Sequence, residues 1–165
     1  MFLNELIRRP LMFKIKPFTT EQASELEKLQ KMCEIEMGWD PPKEYLEEWV
    51  KAVLGIHQQD PNLTKIAVID EKIVGYCISV KRLHNYEGVV MDVTWNSAYI
   101  WDLFVSKEHR NAGIGTALLD DAIAYLKSIG CDKVGLLVNH WNENAKKLFE
   151  KLGFKLLSYY FVKRF

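Results

Sequence analysis

Cysteine is scarce in this sequence, with three residues (Cys33, Cys77 and Cys131) among 165. An odd number at scattered positions does not make a disulfide framework, and no cysteine or histidine cluster has the spacing of a metal site. We therefore expect buried free thiols and no bound metal. The sequence also has no apolar run near the roughly 18 residues of a membrane span. In residues 1–11 the arginines follow the apolar side chains, the reverse of a signal peptide.

An excess of charge of one sign is also missing, because 22 lysines and arginines balance 22 aspartates and glutamates. A chain without net charge lacks the basic surface typical of proteins that bind nucleic acids or membranes. Its hydrophobic fraction of 48% is that of a globular protein, and a chain of this length buries a full core. We expect one cytoplasmic domain over residues 1–165, with residues 1–11 as an N-terminal arm and neither nucleic acid nor membrane as a partner.

Hydrophobic periodicity predicts the secondary structure. Alternating and short apolar runs predict strands at 12–17, 65–69, 73–81, 98–105, 133–138, 154–157 and 159–164. Helical spacing predicts helices at 21–36, 42–54 and 113–129, and from Asn142 or Asn144 to Gly153. Strands 98–105 and 133–138 are joined by a helix, so they should be parallel neighbours, whereas short turns make the others antiparallel. The expected fold is α/β, a mixed, mostly antiparallel sheet of six or seven strands with helices on both faces.

The turn after strand 98–105 reads Arg-Asn-Ala-Gly-Ile-Gly over residues 110–115. Two glycines leave room for a ligand, and the start of a helix favours an anion such as phosphate. Neither a nucleotide triphosphate loop nor the three-glycine dinucleotide fingerprint fits, so the alternatives are a diphosphate cradle and a plain turn. Arg110 would add a cation. The backbone N–H groups expected to hold the diphosphate are those of Asn111, Ala112, Gly113, Ile114, Gly115 and Thr116.

Two signatures in order resemble those of the GNAT superfamily of N-acetyltransferases. From Leu103 the sequence reads Leu-Phe-Val, then Arg-x-x-Gly-x-Gly, as in the first family signature. Residues 142–154 resemble the second, Asn-x-x-Ala-x-x-Leu-Tyr/Phe-x-x-x-Gly-Phe. The resemblance covers about residues 65–165, and two signatures separated by a helix and a strand make a specific match.

The resemblance implies transfer of an acetyl group from acetyl-CoA, the acyl-donor substrate, to an amine acceptor. It places the acceptor side in residues 12–60 and the coenzyme core in residues 98–154, where the two parallel strands splay apart. Pantetheine would pair with the backbone of strand 98–105, and a donor on that strand would polarise the thioester carbonyl. The residues implied for these contacts are Leu103 or Phe104 as donor, with Val105, Asn142, Ala145 and Phe149 beside the coenzyme. Family members are often dimers, so a homodimer is one expected assembly.

A carboxylate must take the proton of the amine. Keeping an amine of pKa ~10.4 neutral at pH 7 costs roughly 4.6 kcal/mol. Asp102 is the candidate base, although regular pleating points it away from the face of Tyr99 and Trp101; a β-bulge would turn it back. Glu87 and Asp92 are the other candidate bases. The alternative role for Asp102 is that of a structural carboxylate.

Two departures from the family pattern bear on mechanism and acceptor. Phe149 stands where many relatives have the tyrosine that returns a proton to the CoA thiolate. The run Trp101 to Val105 is similar to the Glu-Asp-Leu-Phe-Val of diamine acetyltransferases, with Trp101 in place of the glutamate. Nine acids against four lysines between Glu21 and Lys51 favour a cationic amine, unless they are only solvated helix faces. The alternatives are a peptide or protein amine acceptor, and an acetyl-CoA sensor without turnover.

Overall fold

The computed structural model describes residues 12–81, 96–159 and 161–163. The helices in these residues are α1 (Ala23–Glu36), α2 (Lys43–Gln59), α3 (Ile114–Ser128) and α4 (Glu143–Lys151). The strands are β1 (Lys14–Pro17), β2 (Thr64–Ile69), β3 (Lys72–Lys81), β4 (Ser97–Val105) and β5 (Lys133–Leu136). The expected N-terminal arm, residues 1–11, lies outside the described residues. Among the described helices, none has both the length and the apolar character needed to cross a membrane.

The strands form one sheet in the order β1-β2-β3-β4-β5. The pairs β1–β2, β2–β3 and β3–β4 are antiparallel, and β4–β5 is parallel. This confirms the mixed sheet and the parallel pair predicted from the βαβ order. A crossover through α3 accounts for the parallel pair, because parallel neighbours cannot be joined by a tight turn.

Of the six or seven strands expected, the described residues contain five. The two strands predicted in the C-terminal segment do not form in residues 154–159 and 161–163. Alternating apolar residues make a strand only where a sheet edge pairs with them and a face buries them. Here the side chains stay exposed, with Leu157 at 82% and Phe161 at 89%. The predicted strand 133–138 is also shorter, and it ends at Leu136.

Two apolar cores lie on opposite faces of the sheet. On one face, α1 and α2 contribute Leu26, Leu29, Trp49 and Val53 to a core with residues of β2, β3 and β4. On the other face, α3 and α4 contribute Leu118, Leu119, Leu126 and Phe149. Helix α2 continues five residues beyond the predicted end because Ile56 packs against both cores. Helices therefore cover both faces, as predicted.

Candidate active site

Strands β4 and β5 pair only over their first four residues. The register runs from Ser97 opposite Lys133 to Ile100 opposite Leu136. Beyond that point β4 continues to Val105, whereas residues 137–139 leave the strand. The parallel pair therefore splays, as the family resemblance implied, and within the part of the chain that the structure describes no strand pairs with this edge of β4 over residues 101–105.

The alternation of β4 decides which backbone groups face this open edge. The Ser106 N–H donates to the Val74 carbonyl at 2.9 Å, so residues 104 and 102 also pair with β3. Residues 103 and 105 point the other way, and the Val105 carbonyl accepts a hydrogen bond from Arg110 Nε at 2.8 Å. Of the two candidate donors, Leu103 lies on the open edge. The N–H of Phe104 faces β3, and its side chain is buried in the α1–α2 core.

The cradle, residues 110–116, contains two left-handed residues, Asn111 with φ 61° and Gly113 with φ 83°. Alternating handedness turns successive N–H groups toward a common point, the geometry that binds anions. A Cβ on Gly113 would meet no atom within 4 Å, so space remains in front of it. The first internal bond of α3 runs from the Ala117 N–H to the Gly113 carbonyl at 3.0 Å. The N–H groups just before Ala117 are the unpaired donors of a helix start.

The two cradle glycines have different roles. A Cβ on Gly115 would contact Leu148 at 3.5 Å and Val105 at 3.9 Å. Gly115 therefore allows α3 to lie close to α4 and β4, whereas Gly113 leaves the approach to the N–H groups open. The sequence predicted both glycines as ligand contacts.

The side chain of Arg110 spans the cradle and the end of α1. Its Nη2 lies 2.6 Å from Glu36 Oε2, and its guanidinium carbon is 5.5 Å from the centre of the Phe104 ring. The partner of the predicted cation in this structure is therefore a carboxylate. This contact joins the predicted acceptor side to the predicted coenzyme core.

A β-bulge in β4 decides where Asp102 points. Ile78 pairs with Asp102 and Ser79 pairs with Ile100, so Trp101 has no partner in the register of β3 and β4. Ile100 belongs to the α3–α4 core, whereas Trp101 packs on the α1–α2 face. The extra residue turns Asp102 to that same face, beside Tyr76. The bulge that the sequence required for a base at this position is therefore present.

Asp102 lies in apolar surroundings with few donors. Burial raises the pKa of its carboxyl from 3.8 to about 6, and hydrogen bonds donated to the carboxylate by the Tyr76 hydroxyl or the Trp49 indole act in the opposite direction. The Tyr76 hydroxyl is 3.3 Å from its Oδ2. Burial and the charge of Asp102 raise the pKa of the nearby Cys33 thiol to about 12, which keeps that thiol protonated and unreactive.

Sequence reasoning missed the polar side chains that connect Asp102 to α1. Gln30 is 2% exposed, and its amide receives a hydrogen bond from Tyr76 and donates one to Glu34 at 2.8 Å. Tyr45 also donates to Glu34 at 2.8 Å. The available signal was the position of Gln30, four residues after Leu26 on the inner face of α1, where an apolar residue is expected.

The acetyltransferase (GNAT) family matches residues 25–154, which is most of the chain. The chain belongs to the GNAT family. An uncharacterized N-acetyltransferase of Methanocaldococcus jannaschii is 32% identical to this GNAT chain over 113 residues, 66% of this chain and 65% of that protein. N-alpha-acetyltransferase 30 of Xenopus laevis is 33% identical over 104 residues, 61% of this chain and 36% of that protein. The matched part therefore spans less than two thirds of either relative.

Solved GNAT structures share the fold. Aminoglycoside N-acetyltransferase AAC(6')-Iy, solved in complex with CoA, superposes with a TM-score of 0.72 at 18% identity, covering 96% of this chain and 98% of that one. The NatC complex bound to Gag peptide and CoA gives a TM-score of 0.67 at 23% identity, covering 88% of this chain and 86% of that one.

The remaining predicted coenzyme contacts of this GNAT chain lie on α4. Asn142 Oδ1 accepts the Ala145 N–H at 3.1 Å and caps the helix. Phe149 is 9% exposed and packs on Phe154, with ring centroids 5.9 Å apart. In the described residues, no three potential metal ligands come together. The other predicted bases, Glu87 and Asp92, lie outside the described residues.

Proposed function

We propose that this GNAT chain transfers the acetyl group of acetyl-CoA to the nitrogen of a small cationic amine. The observation that carries this proposal is the bulge at Trp101, which turns a carboxylate with a raised pKa toward the acceptor-side helices. The neighbouring residue, Leu103, has its N–H on the open edge of β4. A proton acceptor and an oxyanion donor thus stand side by side at the point where the sheet opens.

The acyl donor fits the backbone that the splayed strands expose. The diphosphate of CoA binds the free N–H groups of the cradle, where Gly113 leaves the approach open. The pantetheine arm pairs with the outward backbone groups of Leu103 and Val105, as an added strand would. This places the thioester carbonyl beside the Leu103 N–H, which stabilises the negative charge that develops on the carbonyl oxygen.

The reaction is a direct attack on the thioester. The amine nitrogen forms a bond to the acetyl carbon, the carbon–sulfur bond breaks, and CoA leaves as a thiolate. Asp102 accepts the proton released by the nitrogen. A pKa of about 6 reduces the difference between the pKa of this base and that of the amine by about two pK units relative to an exposed aspartate. This lowers the free-energy cost of the proton transfer by roughly 3 kcal/mol.

Protonation of the leaving thiolate does not require a side chain. Phe149 cannot donate a proton, and it is buried in the α3–α4 core. A thiol of pKa ~8.5 leaves as a thiolate at neutral pH and then takes its proton from water. The absence of the family tyrosine is therefore compatible with turnover.

The acceptor side carries aromatic and acidic groups that suit a cation. Trp49 and Trp101 stack with ring centroids 6.1 Å apart, next to Asp102. Glu34 lies one turn after Gln30 on α1 and accepts a hydrogen bond from it. An indole face and a carboxylate attract an ammonium group more strongly than water does in a partly buried site. These groups support a small cationic amine as the acceptor.

A peptide amine is the second candidate acceptor. The chain is 33% identical over 104 residues to N-alpha-acetyltransferase 30, whose name describes transfer to an α-amino group. The same donor site and the same base serve this acceptor. The difference lies in the acceptor groove, which must then admit an extended chain.

The experiment is measurement of CoA-thiol release from acetyl-CoA against polyamines, aminoglycosides, aryl amines, amino acids and peptides, with product mass confirmed. Release that depends on a cationic small amine supports the first acceptor class, and release only with peptides supports the second. Tight acetyl-CoA binding with no thiol release for any of the amines would refute the proposed enzymatic activity and favour a sensor of acetyl-CoA. Gel-filtration mass tests the predicted homodimer on the same sample.

A further inference from the structure

Four side chains connect α1 to the bulge in β4. Glu34 accepts from Gln30 Nε2 at 2.8 Å, Gln30 Oε1 accepts from the Tyr76 hydroxyl, and Tyr76 Oη lies 3.3 Å from Asp102 Oδ2. Tyr76 is fully buried and Gln30 is nearly so. Neither the family signatures nor the proposed chemistry requires a glutamine at this position of α1.

The direction of these hydrogen bonds follows from what each group can donate. An ionised carboxylate only accepts, so Glu34 faces the NH₂ of the Gln30 amide. The amide oxygen then faces Tyr76, and an amide oxygen also only accepts. Tyr76 has a single proton and two acceptors within reach, and it gives the proton to Gln30 Oε1, the nearer of the two, because 3.3 Å to Asp102 Oδ2 is longer than an ordinary O–H···O hydrogen bond. Its lone pairs are left facing Asp102 and the Cys33 thiol.

The protonated and ionised forms of Asp102 meet this hydroxyl differently. A protonated carboxyl donates its O–H from Oδ2 to the lone pairs of Tyr76. When Asp102 is ionised, the lone pairs of its Oδ2 face the lone pairs of the Tyr76 oxygen, and the carboxylate gains no hydrogen bond from the hydroxyl. The hydrogen bonds from Glu34 through Gln30 to Tyr76 therefore favour the protonated form of Asp102.

We propose that Glu34, acting through Gln30 and Tyr76, is a positioning residue that turns the Tyr76 proton away from Asp102, so that the base holds the proton it takes from the amine. This proposal rests on the proposed function only for the role of Asp102 as the base. The orientation of the hydroxyl itself is independent of turnover.

Other groups also face Asp102 and must be separated from this effect. From α1 come the Cys33 thiol and the Glu34 charge, from α2 the Tyr45 hydroxyl and the Trp49 indole, and from β3 the Cys77 thiol. The charge of Glu34 by itself disfavours ionisation of Asp102. A test must therefore change the hydrogen-bond direction without changing charge.

The test is the carbon-13 NMR titration of the Asp102 carboxyl, assigned by its loss in Asp102→Asn. Gln30→Met keeps the size of the side chain and the net charge, and frees the Tyr76 hydroxyl to donate to Asp102. We expect the titration midpoint to fall by about one pH unit. Glu34→Gln should lower it by at least as much. An unchanged midpoint in folded Gln30→Met overturns the proposal.

A second pair of variants separates direction from charge. In a Tyr76→Phe background there is no hydroxyl to turn, so Gln30→Met should leave the midpoint unchanged and Glu34→Gln should lower it less than in the wild type. Equal effects of Glu34→Gln with and without Tyr76 would reduce the role of Glu34 to its charge and overturn the proposal.

The same variants distinguish this inference from the proposed function. If Asp102 is the base, the acidic limb of the kcat/KM profile moves with the NMR midpoint in Gln30→Met. A midpoint that moves while the pH profile stays in place supports the positioning role and refutes Asp102 as the base. A midpoint that does not move refutes the positioning role whatever the activity.

Discussion

Glu36 and Arg110 form an ion pair across 74 residues of chain, with Glu36 Oε2 2.6 Å from Arg110 Nη2. The pair connects the last residue of α1 to the first residue of the cradle. In the proposed function, the diphosphate of CoA and the Glu36 carboxylate compete for the guanidinium of Arg110. On that proposal, coenzyme binding is coupled to the end of α1.

Glu36→Gln should strengthen CoA binding, because Arg110 is released for the diphosphate. Exposed ion pairs contribute at most about 1 kcal/mol, so the expected gain is no more than roughly five-fold in Kd. Calorimetric titration with CoA measures it, and Arg110→Ala should weaken binding. Glu44→Gln, which removes an exposed acid at the start of α2, is the matched control. Weaker binding by Glu36→Gln would mean that the carboxylate orients Arg110 for the coenzyme.

Asp102→Asn should lower kcat by about 100-fold or more, the usual contribution of a general base, with CoA affinity unchanged. In the wild type, kcat/KM should fall as the pH drops through about 6, because protonated Asp102 cannot accept the proton. The Asn variant should lose this limb of the profile. Steady-state rates from pH 5 to 9 provide the measurement. A variant that loses folding and CoA binding together would identify Asp102 as a structural carboxylate.

The same substitution should stabilise the protein at neutral pH. Burial holds the pKa of Asp102 above its unfolded value, so the fold favours the protonated form, and wild-type stability falls as the pH rises from 3.8 through about 6. Asp102→Asn removes this cost, which is at most about 3 kcal/mol above pH 7 and vanishes below pH 3.8. Urea unfolding of both proteins at several pH values gives the difference. A difference independent of pH would contradict the raised pKa.

Gly113 offers a test of the cradle with two substitutions. Valine disfavours a φ of 83°, so Gly113→Val should lose at least roughly 1–2 kcal/mol of stability as well as CoA affinity. Gly113→Asn tolerates this conformation better, so it should stay near wild-type stability. Its side chain nevertheless fills the space before the N–H groups and should weaken CoA binding at least ten-fold. Wild-type affinity in the folded Asn variant would exclude diphosphate binding at this turn.

Local sequence was sufficient for most of the framework. The apolar period of α3, the glycines around residue 113 and the order strand–helix–strand specify a parallel pair with a cradle at its carboxyl end. These features depend on neighbours within a few residues, where periodicity and turn chemistry act directly. The two C-terminal strands were predicted from the same kind of alternation, and they do not form in residues 154–159 and 161–163 because a strand also needs an edge to pair with.

Placement of the reactive groups depended on contacts far apart in sequence. The family signatures identify strand 98–105 and the cradle, and they leave open which way Asp102 points. That direction changes when one extra residue enters the register between β3 and β4, and no local pattern marks the bulge at Trp101. The partner of Arg110 and the polar chain from Gln30 arise in the same way, from α1 packing on the sheet.

The sequence alone therefore determined the class of fold and the family, because each depends on short spacings. Only the tertiary structure decided that Asp102 lies on the α1–α2 face with a pKa of about 6, beside Tyr76 and Gln30. The physical reason is that both burial and hydrogen-bond direction are properties of what surrounds a side chain. Those surroundings come from α1, α2 and β3, which all end at least 16 residues before β4 begins.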